Sequence, residues 1–366
     1  MSVFRDVALW VAGIVLVAVV VDAALRTFVL PRGAVVRLTR AISVLMSRIF
    51  ELVLRPARTY ATRDRVMALY APVVLMAMVV VWLFLLIAAF SMIFLAVEGK
   101  GVSRAFSEAG SSLFTLGFER PHGDVATVVA FLAAAFGLGL VALLIAYLPT
   151  MYASFSRREV LVAYLTARAG SPPSAIDLLR RAHLIDRLHD LDDLWEKFHL
   201  WFAELEETHT SQPLLNFFRS PSPDRSWVTA SGAILDAASL INSTVDAGWH
   251  PMAGLCVRSG YTALRSIADF FGMDYDPDPQ QGDPITITRD EWEDARREFA
   301  KAGVPLREDV DQAWLDFTGW RVNYDMVLVT LAGLMQAPYA PWSSDRSVRF
   351  RVTTTSWGRR RVARRS

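Results

Sequence analysis

A single cysteine, Cys256, occurs in 366 residues. That excludes an internal disulfide and any cysteine-based metal cluster. A lone thiol in an apolar helical stretch reads as a small core residue. The chain also lacks a Walker loop, a dinucleotide fingerprint, a G-x-S-x-G elbow and an H-E-x-x-H pair. The short motifs of nucleotide, hydrolase and zinc-protease chemistry are therefore missing, and nothing points to an enzyme or a cofactor. Strand-type alternation is scarce. An excess of one charge is lacking as well: the formal net charge is +1, which implies no nucleic-acid partner.

What the chain has is apolar length. Hydrophobic residues make up 53%, and the mean hydropathy of +0.30 is high for a soluble protein of this size, so membrane insertion is expected. The excess sits in the first 156 residues, and the remaining 210 have the composition of a soluble domain. A first apolar run extends from near Val7 to Leu30, long enough to span. A cleaved signal peptide is the alternative, but the run is long, its leading segment is nearly uncharged and a basic segment follows. Asp22 and Arg26, one turn apart, read as an i,i+4 pair near the membrane face.

Residues 31–66 hold eight arginines (Arg32, Arg37, Arg40, Arg48, Arg55, Arg58, Arg63, Arg65) against Glu51 and Asp64. Arg37, Arg40, Arg48, Glu51, Arg55 and Arg58 share a helical face, with Val36, Leu38, Ile42, Leu45, Ile49, Leu52 and Val53 opposite. This is an amphipathic helix suited to anionic lipid headgroups, or a solvated helix packed on the following domain. Basic loops stay inside, which places the amino terminus outside and the carboxy-terminal domain in the cytoplasm of a cell-membrane protein. Two uncharged runs of 32 residues follow, Val66–Val97 and Val125–Ser156. Both exceed the roughly 20 residues that a span needs, so the helices are expected either to tilt or to extend beyond the bilayer into protein, with Arg157 and Arg158 marking the inner exit.

Beyond Gly170 the pattern is all-helical. Ser174 with Asp177, and Thr288 with Glu291, resemble capping boxes. A long helix is expected to about Glu207, its seam Leu184, Leu188, Leu191, Trp195, Phe198, Phe202 and Leu205. Further helices are expected over 225–247, 252–271, 288–301 and from Pro305 to about Gln336. The tail 343–366 carries eight arginines and one acid, Asp345, a composition for disorder or lipid contact. Asp274, Asp276 and Asp278 open like a calcium loop, but Pro279 and Ile285 stand where an EF-hand needs glycine and glutamate. His183, His189 and His199, with Asp190, Asp192 and Asp193, read as the solvated side of the long helix. Trp195, Trp201, Trp227, Trp249, Trp292, Trp314 and Trp320 read as core.

Between the two long runs lies 103–123, SRAFSEAGSSLFTLGFERPHG. It is too short and too mixed to span, and it reads as a short helix with Ser103 as N-cap, followed by a tight extended segment. An ion that sheds water in a membrane needs replacement oxygens. Backbone carbonyls supply them if glycine permits the required dihedrals, and a helix carboxyl end pointed at the ion favours cations.

SSLFTLGFE resembles the filter of tetrameric pore-loop cation channels, whose potassium-selective members read T-x-x-T-x-G-[YF]-G-[DE]. Ser112 stands for the first threonine, Thr115 for the second, Gly117 for the first glycine and Phe118 for the aromatic. The second glycine is missing, and Glu119 follows directly. The resemblance covers about residues 66–156. It implies a homotetramer passing monovalent cations (K+ or Na+) without a cofactor. Thr115, Leu116, Gly117 and Phe118 would form the filter, Ser112 its support and Glu119 an acidic mouth. The shortened filter implies weak selectivity, as in the cyclic-nucleotide-gated type. Gly137 and Gly139 fall where inner helices of that superfamily often bend, although close helix packing by small residues explains them equally; Pro149 could kink the helix near a gate.

The expectation is thus an all-α membrane protein with a first transmembrane helix (1–30), a basic interfacial helix (31–65), a pore domain (66–156, loop 103–120), a helical cytosolic domain (157–342) and a basic tail (343–366). A membrane-anchored sensor or scaffold and a mechanosensitive-type channel are the alternatives.

Overall fold

The computed structural model describes residues 2–29, 37–56 and 59–347. Arg32, Arg58, the side chain of Arg37 and the tail beyond 347 lie outside the described residues. Among the described residues the chain is helical with no strand. A single isolated antiparallel bridge joins Val245 and Leu306. Three helical stretches are long and apolar enough to cross a membrane: Val3–Phe28, Tyr60–Glu98 and Asp124–Ala169. The chain divides into two units, one of residues 1–49 and 70–152, the other of 50–69 and 153–366.

The first unit contains α1 (Ser2–Phe28), the first part of α2 (Arg37–Leu54), α4 (Tyr70–Glu98), α5 (Val102–Leu113) and most of α6 (Asp124–Ala169). The short α3 (Tyr60–Met67) belongs to the other unit. Helix α1 crosses α4 at Gly13, where a Cβ would stand 2.6 Å from Ile93 Cγ1 and 2.8 Å from the Ala89 carbonyl oxygen. Lipid tails give helices no hydrophobic reason to associate, so close backbone approach at a small residue does the work. Asp22 and Arg26 form the expected pair, at 2.7 Å. Helix α2 buries Thr39 and Ser43 and exposes Leu45, Ile49, Leu52 and Val53. Thr39 Oγ1 is 3.2 Å from Thr27 Oγ1, and the backbone carbonyl of Ser43 accepts from the Tyr70 hydroxyl. Helix α6 runs through Pro149 without a break. The missing N–H there leaves one turn of the ladder unclosed.

The second unit is built around α9 (Trp227–Ser243), whose 17 residues are all buried. Being small or apolar on every side, α9 can take neighbours all round, and α7 (Ala175–Leu184), α10 (Pro251–Phe271), α12 (Val310–Arg321) and α13 (Asp325–Leu334) pack on it. Helix α8 (Asp192–Ser211) lies along α10. Helix α11 (Arg289–Lys301) opens with the complete Thr288/Glu291 capping box. At Ser174 the side chain caps the Asp177 N–H, while Asp177 pairs with Arg180. Cys256 is buried, and Trp195, Trp201, Trp227 and Trp292 are core, whereas Trp249 is 60% exposed.

Two expected long helices are each broken. The one from Ser174 to Glu207 stops at Leu184, because Asp186 takes a left-handed conformation (φ 54°) and the Arg187 N–H folds back to the Ala182 carbonyl at 2.8 Å. Leu184 is left exposed, while Leu188 and Leu191 are buried beyond the turn. His183, His189 and His199 therefore do not share a helix; His189 lies in the turn, its Nδ1 3.1 Å from the Ala247 carbonyl. The helix expected from Pro305 to Gln336 is interrupted at 322–324, separating α12 from α13. Ser103 is not an N-cap: α5 starts one residue earlier, after Gly101.

The break at 322–324 serves a buried ionic network. Arg321, 0% exposed, is held between Asp236 on α9 and Asp325 at the start of α13. Tyr324 donates to Asp236 at 2.8 Å, Thr286 donates twice to Asp325, and Arg321 donates to the Trp342 carbonyl. Burial opposes the guanidinium charge, but the two carboxylates hold its proton above the ordinary range. Arg158, expected at a membrane exit, is also buried and donates to the carbonyls of Leu215 and Phe218. Its Nη1 is 3.2 Å from His209 Nε2. An arginine can only donate, so Nε2 accepts and His209 is neutral, its proton on Nδ1 facing Thr208 Oγ1 at 3.1 Å. Burial first, and then the Arg158 charge, push His209 well below the usual imidazole range.

Two outcomes are expected in the full-length protein. Arg321→Met leaves two buried carboxylates unpaired and lowers stability by about 3–5 kcal/mol, read from denaturant midpoints. As pH falls through about 6.5, the unfolded His209 gains a proton that the folded one refuses, so stability present above that pH is lost below it. The melting temperature should therefore drop between pH 7.5 and 5.5, and drop less in His209→Gln.

Candidate functional site

Helix α5 is only 12 residues long, too short to persist without tertiary support. Its carboxyl end closes on itself. The Thr115 N–H meets the Ser112 carbonyl (3.0 Å) and the Leu116 N–H meets the Ser111 carbonyl (2.8 Å), the paired bonds of a Schellman cap. That motif needs a left-handed residue, usually glycine. Here it is Thr115, at φ 55°, a conformation costly for a β-branched side chain, of order 1–3 kcal/mol. Two residues on, Gly117 is also left-handed, at φ 72°. Leu116 and Phe118 between and after them are not. The segment from Phe114 to Phe118 is exposed, with Leu116 at 62% and Phe118 at 64%.

The return of the chain is pinned by Ser111. Its buried Oγ accepts the Glu119 N–H at 3.1 Å. Ser112, the expected support, is half-buried and contributes its backbone carbonyl to the cap. The two serines are adjacent and chemically identical. What separates them is the reversal at Thr115, which turns Glu119 back towards position 111, and no local residue pattern encodes that.

Gly137 on α6 sits against the end of α5. A Cβ there would fall 2.0 Å from the Leu113 carbonyl oxygen and 3.0 Å from the Leu113 carbonyl carbon. This glycine is the seat of the α5 terminus, with a packing role that is distinct from the hinge suggested by its position. Gly139 has no atom within 4 Å of the same construction, and it lines an apolar cavity of about 400 Å³ with Val20, Ala24, Leu86 and Leu143. Pro149 lies further along α6, and the Thr150 hydroxyl beside it donates to the Ala146 carbonyl at 3.3 Å.

Charged groups gather at the rear of α5. Glu108, 1% exposed, pairs with Arg104 at 3.2 Å. Glu98, at the end of α4, pairs with Lys100 at 2.7 Å and accepts the His122 N–H at 2.7 Å. The structure thus brings Ser111, Ser112, Thr115, Leu116, Gly117, Phe118, Glu119 and Gly137 into one assembly, with Gly139 and Pro149 apart from it along α6.

Comparison with protein families, curated proteins and solved structures finds no match to this chain.

The seat and the open position should separate by mutation. Gly137→Ala drives a methyl group into the Leu113 carbonyl and should lower the melting temperature in detergent by several degrees, about 1–3 kcal/mol of overpacking. Gly139→Ala should leave it within about a degree, since the cavity receives the methyl group.

Proposed function

We propose that this chain is a passive cation channel in which four copies surround one conduction axis. The observation that carries the reading is the pair of left-handed residues, Thr115 and Gly117, one residue apart at the end of a short helix between two membrane-length apolar helices. In ordinary extended backbone successive carbonyls point to opposite sides. A left-handed residue at every second position turns them towards the same side, as a row of ion ligands requires. Strain of this kind on a threonine collects at functional sites. A single strand cannot encircle an ion, and the uncovered Leu116 and Phe118 side chains are apolar surface that neighbouring copies would cover.

In this reading Thr115, Leu116, Gly117 and Phe118 supply the filter oxygens. Four copies of Glu119 concentrate cations at the mouth, and Ser111 holds the outer end in place. Gating bends fall to Gly139 and Pro149, because Gly137 is occupied as a seat. The permeant ions are K+ and Na+, weakly discriminated. The exposed Arg48, Arg55 and Arg65 face anionic lipid inside the cell membrane, the amino terminus is outside, and the second unit is cytosolic, fixing the oligomer or biasing the gate. No reaction chemistry and no nucleic acid enter.

Purified protein in liposomes should pass both K+ and Na+ and should run as a tetramer in mild detergent. Gly117→Asp, which places a side chain at a left-handed position, should abolish the flux. Absence of flux from the unaltered protein, or flux unchanged by Gly117→Asp, overturns the proposal.

A further inference from the structure

Three separate segments of the first unit bring ligating groups together behind α5. Glu98 ends α4, Glu108 lies within α5, and His122 precedes α6; one ligand atom from each lies within 4.8 Å of the others. The two carboxylates are fixed and buried: Glu108 is 1% exposed and the Glu98 side chain 3%. The His122 imidazole is exposed, so the cluster opens to solvent on that side. Glu98 Oε2 is buried and takes no well-aligned hydrogen bond; Lys100 meets it at 2.7 Å as a point charge.

Two buried carboxylates this close need two positive charges. Lys100 and Arg104 supply them from long side chains that are 33% and 41% exposed. The anions cannot leave and the cations can. One divalent ion replaces both positive charges at once, and the imidazole adds a coordinating nitrogen.

We propose that Glu98, Glu108 and His122 form a binding site for a divalent transition metal of the zinc class. Two carboxylate oxygens and one imidazole nitrogen match zinc, nickel or cobalt better than calcium or magnesium, which take oxygen alone. Bonds of about 2.1 Å require ligand atoms about 3–3.5 Å apart, which asks the three side chains, now within 4.8 Å of one another, to draw in by small rotations. An ion held there ties α4, α5 and the segment leading into α6 to one point. The site rests on the fold of the first unit and is independent of the conduction reading.

The test is equilibrium binding of Zn2+ to tag-free, chelator-stripped, full-length protein in detergent, with Co2+ absorption as the spectroscopic probe. Saturable binding of one ion per chain is expected. His122→Ala should weaken it by about 10–100-fold without moving the melting temperature, because that side chain is on the surface. Lys100→Ala, which removes the competitor, should tighten it several-fold. Absence of saturable binding, or affinity unchanged in His122→Ala, overturns the proposal and leaves the cluster as ion pairs alone. Neither result depends on whether the protein passes ions.

Discussion

The contact between Gly137 and the Leu113 carbonyl governs the first unit. Two helix backbones touch there, which is possible only where one of them carries no side chain. A membrane offers no hydrophobic gain for helix association, so such close packing is the available source of specificity. Fixing Leu113 fixes the end of α5, and with it the Schellman cap, the reversed Thr115 and the return to Ser111. The helix is held a second time along its length, where it packs on α4. Held at both places, a 12-residue segment with weak intrinsic stability becomes a rigid support for the strained turn that follows it.

The second unit solves a different problem. Its central helix α9 is buried on all sides, yet it carries Asp236, and burying that carboxylate alone would be prohibitive. The surrounding elements converge on it. Arg321, which closes α12, and Tyr324, which opens α13, bond to Asp236 directly; Asp325, Thr286 from the loop before α11 and the Trp342 carbonyl extend the network around them. The partners arrive from four segments, so the network specifies how the helices are arranged as well as stabilising them. Arg158 does the same at a smaller scale by gathering the carbonyls of Leu215 and Phe218 and the ring of His209.

The sequence disclosed what is local. Uninterrupted apolar length predicts the three membrane-length helices, and the Thr288/Glu291 spacing predicts the start of α11, because each depends on neighbours within a turn or two. The breaks at Asp186 and at 322–324 were hidden because a short turn lets the apolar seam resume in phase: Leu188 and Leu191 are buried as the unbroken pattern expects. The split between α12 and α13 answers to Asp236, more than 80 positions away, and no window along the chain contains that demand. The candidate site divides in the same way. Thr115 and Gly117 stand out as residues, but the roles of Ser111 and Gly137 follow from the fold back at Thr115 and from the crossing with α6. The grouping of Glu98, Glu108 and His122 likewise exists only once α4, α5 and α6 are placed.

The missing second glycine has a structural counterpart. After Gly117 the next left-handed residue is Gly123, at φ 91°. Between them Phe118 and Glu119 have ordinary φ, and the Glu119 N–H is already committed to Ser111. The alternation that could align carbonyls therefore ends after Phe118, stopped by the hydrogen bond that anchors the turn. In the proposed pore this yields a short row of backbone ligands followed at once by a carboxylate. The number of consecutive carbonyl sites is one of the quantities from which discrimination between K+ and Na+ arises. Under that proposal a row cut short by its own anchor admits cations in general rather than selecting among them, and the bond between Ser111 and Glu119 is what sets its length.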